Sequence, residues 1–182
     1  KAERYEKGAA IRKLVPRSSH QEFLPSENRE DPIAILIKTS IGRIESLLPI
    51  RYRRMIESPF AFFRGAAAIM AADLAETPDS GIHLQLCGDC HLMNFGGFAT
   101  PERKLVFDIN DFDETFPGPW EWDVKRLAAS FVIAGRWLKF SGKNCKEFAW
   151  NAADSYKRHM IEYSRLSALQ IWYADIDLAE LI

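Results

Sequence analysis

The hydrophobic period of the chain changes twice, and those two changes limit what it can fold into. From residue 31 to residue 76 apolar residues recur every three or four positions, as on one face of a helix. Ile33, Ile37, Ile41, Ile44 and Leu48 form a first run, and Phe60, Phe63, Ala67, Met70 and Leu74 a second. Asp31-Pro32 and Ser58-Pro59 open the two runs with an N-cap side chain and a first-turn proline. The spacing predicts helices over 32–48, ended by Pro49, and over 59–76, followed by the turn TPDSG at 77–81. At residue 82 the pattern becomes alternating (IHLQLC, 82–87), as in a half-buried strand. Two further short strands are expected around 93–98 and 104–109, joined by TPER, and a Pro/Gly-rich loop (FPGPW) follows Asp111. The helical period returns at Glu121 with Val124, Leu127, Phe131, Ala134 and Leu138. SGKN (141–144) breaks it, a helix over about 145–165 turns Phe148, Ala152, Tyr156 and Tyr163 inward, and a last helix starts near Ser167. The expected fold is α+β and mostly helical, with a small strand cluster between two helical blocks. Residues 1–30 read as a weak N-terminal helix and a polar arm, and 31–182 as the main body.

Composition narrows the function classes. A chain of 182 residues suits one domain or a large piece of one. A net charge of −1 supplies no global basic field for nucleic acid or an anionic membrane. No apolar run reaches the roughly 20 residues that span a bilayer. The start, KAERYEKGAAIRK, lacks an apolar signal core, and three Cys are too few for a disulfide scaffold, so a reducing cytoplasm is expected. The chain opens without Met, and its end, QIWYADIDLAELI, is an apolar-rich helical pattern with no stop signal; a longer protein is expected.

Chemistry concentrates between residues 86 and 123. Asp108, Asp111, Asp113 and Glu114 fall within seven positions, among Val106, Phe107, Ile109 and Phe112. Carboxylates gathered beside apolar residues need a cation or hydrogen-bond donors. Mg²⁺ is a natural partner, since it takes one or two carboxylates together with phosphates and water. Asp89 is followed five residues later by Asn94. Protein kinases carry H-R-D-x-x-x-x-N, whose Asp accepts the substrate hydroxyl proton and whose Asn holds a metal. Here the string is C-G-D-C-H-L-M-N, and Asp111-Phe112-Asp113 stands where kinases place D-F-G.

The string Gly88-Asp89-Cys90-His91-Leu92-Met93-Asn94 resembles the Gly-Asp-x-His-x-x-Asn loop of the aminoglycoside and choline kinase branch. In that branch a second Asp, about a dozen residues after the metal-binding one, opens a helix and braces the loop; Asp111 and Asp123 match this spacing. At a finer level RYRRMIESPFAFFRGAA (51–67), CGDCHLMNFG (87–96), FDINDFDET and GPWEWDVKRLAAS are similar to an uncharacterised bacterial family known as Domain of Unknown Function 2252. The resemblance implies a protein-kinase-like C-lobe and ATP- and Mg²⁺-dependent phosphoryl transfer to a small-molecule hydroxyl. Asp89 would be the base, Asn94 and Asp111 the metal ligands, and Asp108 and Asp113 further ligand candidates. Residues 1–86 hold no Gly-rich strand-turn-strand and no strand lysine of V-A-I-K type, so a nucleotide lobe would lie downstream. Asp113 replaces the Gly of D-F-G and Cys87 the usual His.

Other readings stand beside these. The fold could serve as a pseudokinase-like binding domain without turnover. Cys87-Gly88-Asp89-Cys90-His91 is also C-x-x-C-H, the string for c-type haem attachment, or a thiol redox pair. His91 is expected to pin the loop. Asp123 and Arg126, three apart on a helix, are expected to pair locally. Arg64, beside an apolar stripe, reads either as a snorkelling side chain or as a partner for a loop acid or a phosphate. The cluster RYRR (51–54) reads as a solvated face, and Glu114 as solvated.

Overall fold

The computed structural model describes residues 2–177. It is α+β and mostly helical. Helix α1 (Ala2–Leu14) comes first, and none of its residues is buried. The arm that follows leads into α2 (Pro32–Lys38), α3 (Leu48–Met55), α4 (Pro59–Arg64) and α5 (Ala67–Ala75). The strands β1 (His83–Leu86), β2 (Phe95–Ala99), β3 (Leu105–Ile109) and β4 (Phe116–Pro119) come next, then α6 (Glu121–Trp137), α7 (Gly142–Tyr163) and α8 (Ala168–Trp172). Among the described residues no helix is long and apolar enough to cross a membrane.

Each of the two expected early helices is divided. Asp31 caps α2 as expected, accepting the N–H of Ile33 and Ala34. The helix then stops at Lys38, because the hydroxyls of Thr39 and Ser40 both donate to the Leu36 carbonyl and Gly42 takes a positive φ of 82°. Pro49 does not end a helix. It sits in the first turn of α3, where its missing N–H costs nothing. The second expected helix breaks between Arg64 and Ala67. The Gly65 carbonyl is taken by Arg51, whose Nη2 donates to it at 2.9 Å. The face of Gly65 that lacks a Cβ lies against the buried side chain of Met55. The break lets α5 turn its apolar face toward α2 and α3, where Ile35, Leu36, Met55, Ala66 and Ile69 form a core with Tyr52 and Ala68 packed on it.

Two antiparallel two-stranded sheets carry the site. In one, β2 pairs with β3, Phe95 opposite Ile109 and Ala99 opposite Leu105. In the other, β1 pairs with β4, His83 opposite Pro119 and Leu86 opposite Phe116. The stretch FPGPW was expected as a loop. Its first four residues form a strand instead, and two prolines are tolerable there because a two-stranded sheet leaves each strand one edge without ladder bonds. Helix α6 packs along α7, with Gly135 against the buried Cys145 sulfur. Ser141 caps α7 through the Asn144 N–H, so part of the expected breaker SGKN is the start of that helix. Ser167 and Gln170 form a capping box on α8. The helical pattern expected toward the end of the chain runs to Trp172, and residues 178–182 lie outside the described part.

Candidate functional site

The loop after β1 is shaped by a glycine. Gly88 has φ of 81°, and an added Cβ would stand 1.8 Å from the carbonyl oxygen of Glu114. Only the absence of a side chain lets the loop 87–94 touch the loop after β3. Asp123, in the first turn of α6, holds this loop from the other side. Its Oδ2 accepts the Cys87 N–H at 2.8 Å and its Oδ1 the Gly88 N–H at 3.1 Å. Burial raises the Asp123 carboxyl above the ordinary carboxylate value; the two backbone donors and the nearby Arg126 counteract only part of that effect.

Asn94 is the junction between the two loops. It is 5% exposed, and every atom of its amide is engaged. Its Nδ2 donates to the carbonyls of Asp89 at 3.1 Å and Asp111 at 3.0 Å, and approaches the Cys87 sulfur at 3.4 Å. Its Oδ1 accepts the Asp111 N–H at 3.1 Å. The Asp111 carboxylate is exposed, and its Oδ1 accepts the Asp113 N–H at 3.0 Å.

Asp89 is held between Arg126 and His91. Its Oδ1 accepts from Arg126 Nε at 2.8 Å and Nη2 at 2.5 Å, and its Oδ2 faces His91 Nε2 at 3.3 Å. Burial alone would raise the Asp89 carboxyl. The His91 hydrogen bond and the Arg126 charge outweigh it and hold the group below the usual range. The expected local pair of Asp123 with Arg126 is therefore replaced. Arg126 reaches Asp89, 37 residues away, donates to the Phe63 carbonyl at 2.7 Å and stacks 4.2 Å from the Phe63 ring centroid. At 2% exposure its charge needs such partners, and the backbone amides already occupy Asp123. His91 is buried, its Nδ1 accepting the Met93 N–H at 3.2 Å while its Nε2 faces Asp89. Cys87 and Cys90 are both buried and not joined by a disulfide. A hydrogen bond between them pulls the Cys87 thiol down from its ordinary value and pushes the Cys90 thiol up.

Asp89, His91, Asn94, Asp111, Asp123 and Arg126 thus form one hydrogen-bonded unit. Three other candidates lie apart. Asp108 is exposed and bonds the neighbouring Ile109 N–H at 2.7 Å. Asp113 is exposed and enters only through its backbone N–H. Arg64 lines a separate cavity with Arg43 and Arg51. Glu114 is not simply solvated, because its Oε1 meets Arg43 Nη2 at 3.3 Å. Within RYRR, Arg53 and Arg54 are exposed, whereas Arg51 turns inward.

Ser130 is a member of the site that sequence reasoning missed. It is fully buried, accepts the Leu92 N–H at 3.0 Å and donates to the Leu127 carbonyl at 2.7 Å, holding the turn before Asn94. The signal was present, since 123, 126 and 130 share one helical face. Among the described residues no group of three or more His, Cys, Asp or Glu side chains is gathered for a metal. Mg²⁺ needs fewer protein ligands than that, and the exposed Asp111 carboxylate suits it. Asn94 fits less easily, since a cation would share the oxygen that accepts the Asp111 N–H.

No curated protein and no solved structure matches the chain. Residues 43–182, which include every residue of this hydrogen-bonded unit, match the family model described as "Uncharacterized protein conserved in bacteria (DUF2252)", and the chain belongs to that family.

Proposed function

We propose that this chain carries part of a kinase-like phosphotransferase site, arranged as in a kinase C-lobe, which transfers a phosphoryl group from ATP to a small-molecule hydroxyl. The observation that carries the reading is the Asn94 junction. One buried amide bonds the backbone of Asp89 and of Asp111, so the base candidate and the metal-ligand candidate move as one body. Fixed positioning of this kind is most of what phosphoryl transfer asks of a protein. Mg²⁺, when bound, would supply positive charge that offsets the negative charge of the transferring phosphate. Asp111 would hold it through its exposed carboxylate. Asp89 would receive the acceptor hydroxyl at Oδ2, where His91 stands at 3.3 Å, while Arg126 fixes Oδ1. Asp123 would keep the loop in shape through the Cys87 and Gly88 amides.

A second reading is nucleotide binding without turnover. The tight ion pair of Asp89 with Arg126 favours it, because a carboxylate held below its usual pKa is a weak proton acceptor. Thermal stabilisation by ATP with and without Mg²⁺, in wild type and Asp111→Ala, tests both readings. ATP consumption with a panel of small alcohols, in wild type and Asp89→Asn, then separates them. Turnover abolished by Asp89→Asn supports transfer. Mg²⁺-dependent binding lost in Asp111→Ala, without turnover, supports the second reading. Absence of any nucleotide or metal dependence in the full-length protein overturns both.

A further inference from the structure

We propose that the cavity between α3, α4 and the loop after β3 is an oxyanion site that binds a phosphate group. The cavity, of about 150 Å³, is lined by Arg43, Arg51 and Arg64, with Thr39 at its side and Glu114 as the acid among its lining residues. Among the described residues the Glu114 carboxylate pairs with Arg43 alone, at 3.3 Å, and Arg43 Nε is turned to the Thr39 carbonyl at 3.0 Å. Arg51 is anchored by its Nη2 on the Gly65 carbonyl, and its Nη1 is buried with no hydrogen-bond partner among the described residues. A guanidinium nitrogen without an acceptor is costly, and the Arg51 side chain that carries it lines the cavity. Arg64 is exposed and makes no ion pair among the described residues. Three guanidinium groups facing one carboxylate leave two positive charges for a ligand.

The chemistry favours phosphate over a simple halide. Arginine presents a planar fork that matches two oxygens of a phosphoryl group at once. The start of α5 adds donors from the same wall: its first two residues, Ala67 and Ala68, line the cavity, and no side chain caps that end. First-turn N–H groups have no partner within their own helix. Glu114, which lines the cavity, also rests its carbonyl against Gly88 of the Asp89 loop. The site does not require phosphoryl transfer at Asp89 and Asp111. Its ligand could be inorganic phosphate or the phosphate of a nucleotide.

Isothermal titration of the purified chain with inorganic phosphate and with ADP, without divalent metal and at constant ionic strength, tests the site separately from any metal-dependent one. Chloride serves as the reference anion. Arg64→Ala is expected to weaken binding at least tenfold, and Arg51→Lys, which keeps the charge and loses the fork, by a similar factor. Tighter binding of ADP, equally sensitive to both variants, assigns the phosphate to a nucleotide; equal affinities assign it to free phosphate. Binding no better than chloride for either ligand overturns the proposal. So does wild-type affinity in Arg64→Ala. Arg51 supports the Gly65 turn, so Arg51→Lys is read only where circular dichroism matches wild type; the exposed Arg64 decides otherwise.

Discussion

Two aspartates near the same arginine respond to pH in opposite senses. Asp89 has a folded pKa below its unfolded value. Its ionised form therefore adds stability that is complete above about pH 4, the unfolded carboxylate value, and is lost as pH falls through the lower folded pKa. Asp123 has a raised folded pKa, so its contribution is present below about pH 4 and is lost as pH rises through the folded value. In Asp89→Asn, urea denaturation at neutral pH is expected to show a loss of about 3 kcal/mol, since Arg126 keeps its burial and loses its counter-charge. That loss should shrink steadily as pH falls below about 4. A pH-independent difference would mean that the ion pair does not govern the acid response. Gly88→Ala is expected to cost more than about 4 kcal/mol, because positive φ and contact with the Glu114 backbone act together and a backbone atom cannot step aside. Loss of cooperative unfolding, followed by fluorescence, checks it.

At the scale of elements, the starts of helices were legible in the sequence and several stops were not. Asp31-Pro32 and Ser58-Pro59 act locally: each side chain accepts N–H groups two or three residues on, so the sequence alone locates the cap. Ser58→Ala is expected to cost about 1 kcal/mol in urea unfolding through the lost Ala61 N–H bond. The break at Gly65 has a different origin. It depends on Arg51 and Met55, which arrive from α3, and no periodicity within 59–76 reports them. Gly65→Ala is expected to destabilise by about 1–3 kcal/mol, because the new methyl would stand 2.7 Å from the buried Met55 side chain. An unchanged denaturation midpoint would argue that Met55 moves freely. The strand β4 was illegible for a related reason: two prolines read as a loop until β1 supplies a partner.

For the whole molecule, the described residues combine packed helices with two small sheets, and α1 lies outside the buried core. Since α1 buries none of its residues, removing residues 1–14 is expected to lower the melting temperature by less than about 2 °C, whereas losing a buried core contact would shift it by several degrees. Differential scanning calorimetry of the shortened chain checks this. The cavity of three arginines is also a property of the whole: Arg43, Arg51 and Arg64 come from three segments that the breaks at Gly42 and Gly65 fold toward one another.

The sequence by itself determined most of the order of helix and strand, the caps at Asp31 and Ser58, the hairpin of β2 and β3, and the stretch from Cys87 to Arg126 that holds the hydrogen-bonded unit. Those follow from periodicity and from hydrogen bonds that span only a few residues. Tertiary structure decided who pairs with whom. Arg126 chose Asp89 over its helical neighbour Asp123, because Asp123 was already taken by two backbone amides and a buried guanidinium must find a free carboxylate. Asn94 became the clamp between two loops through backbone groups of Asp89 and Asp111 that only the folded chain brings within its reach.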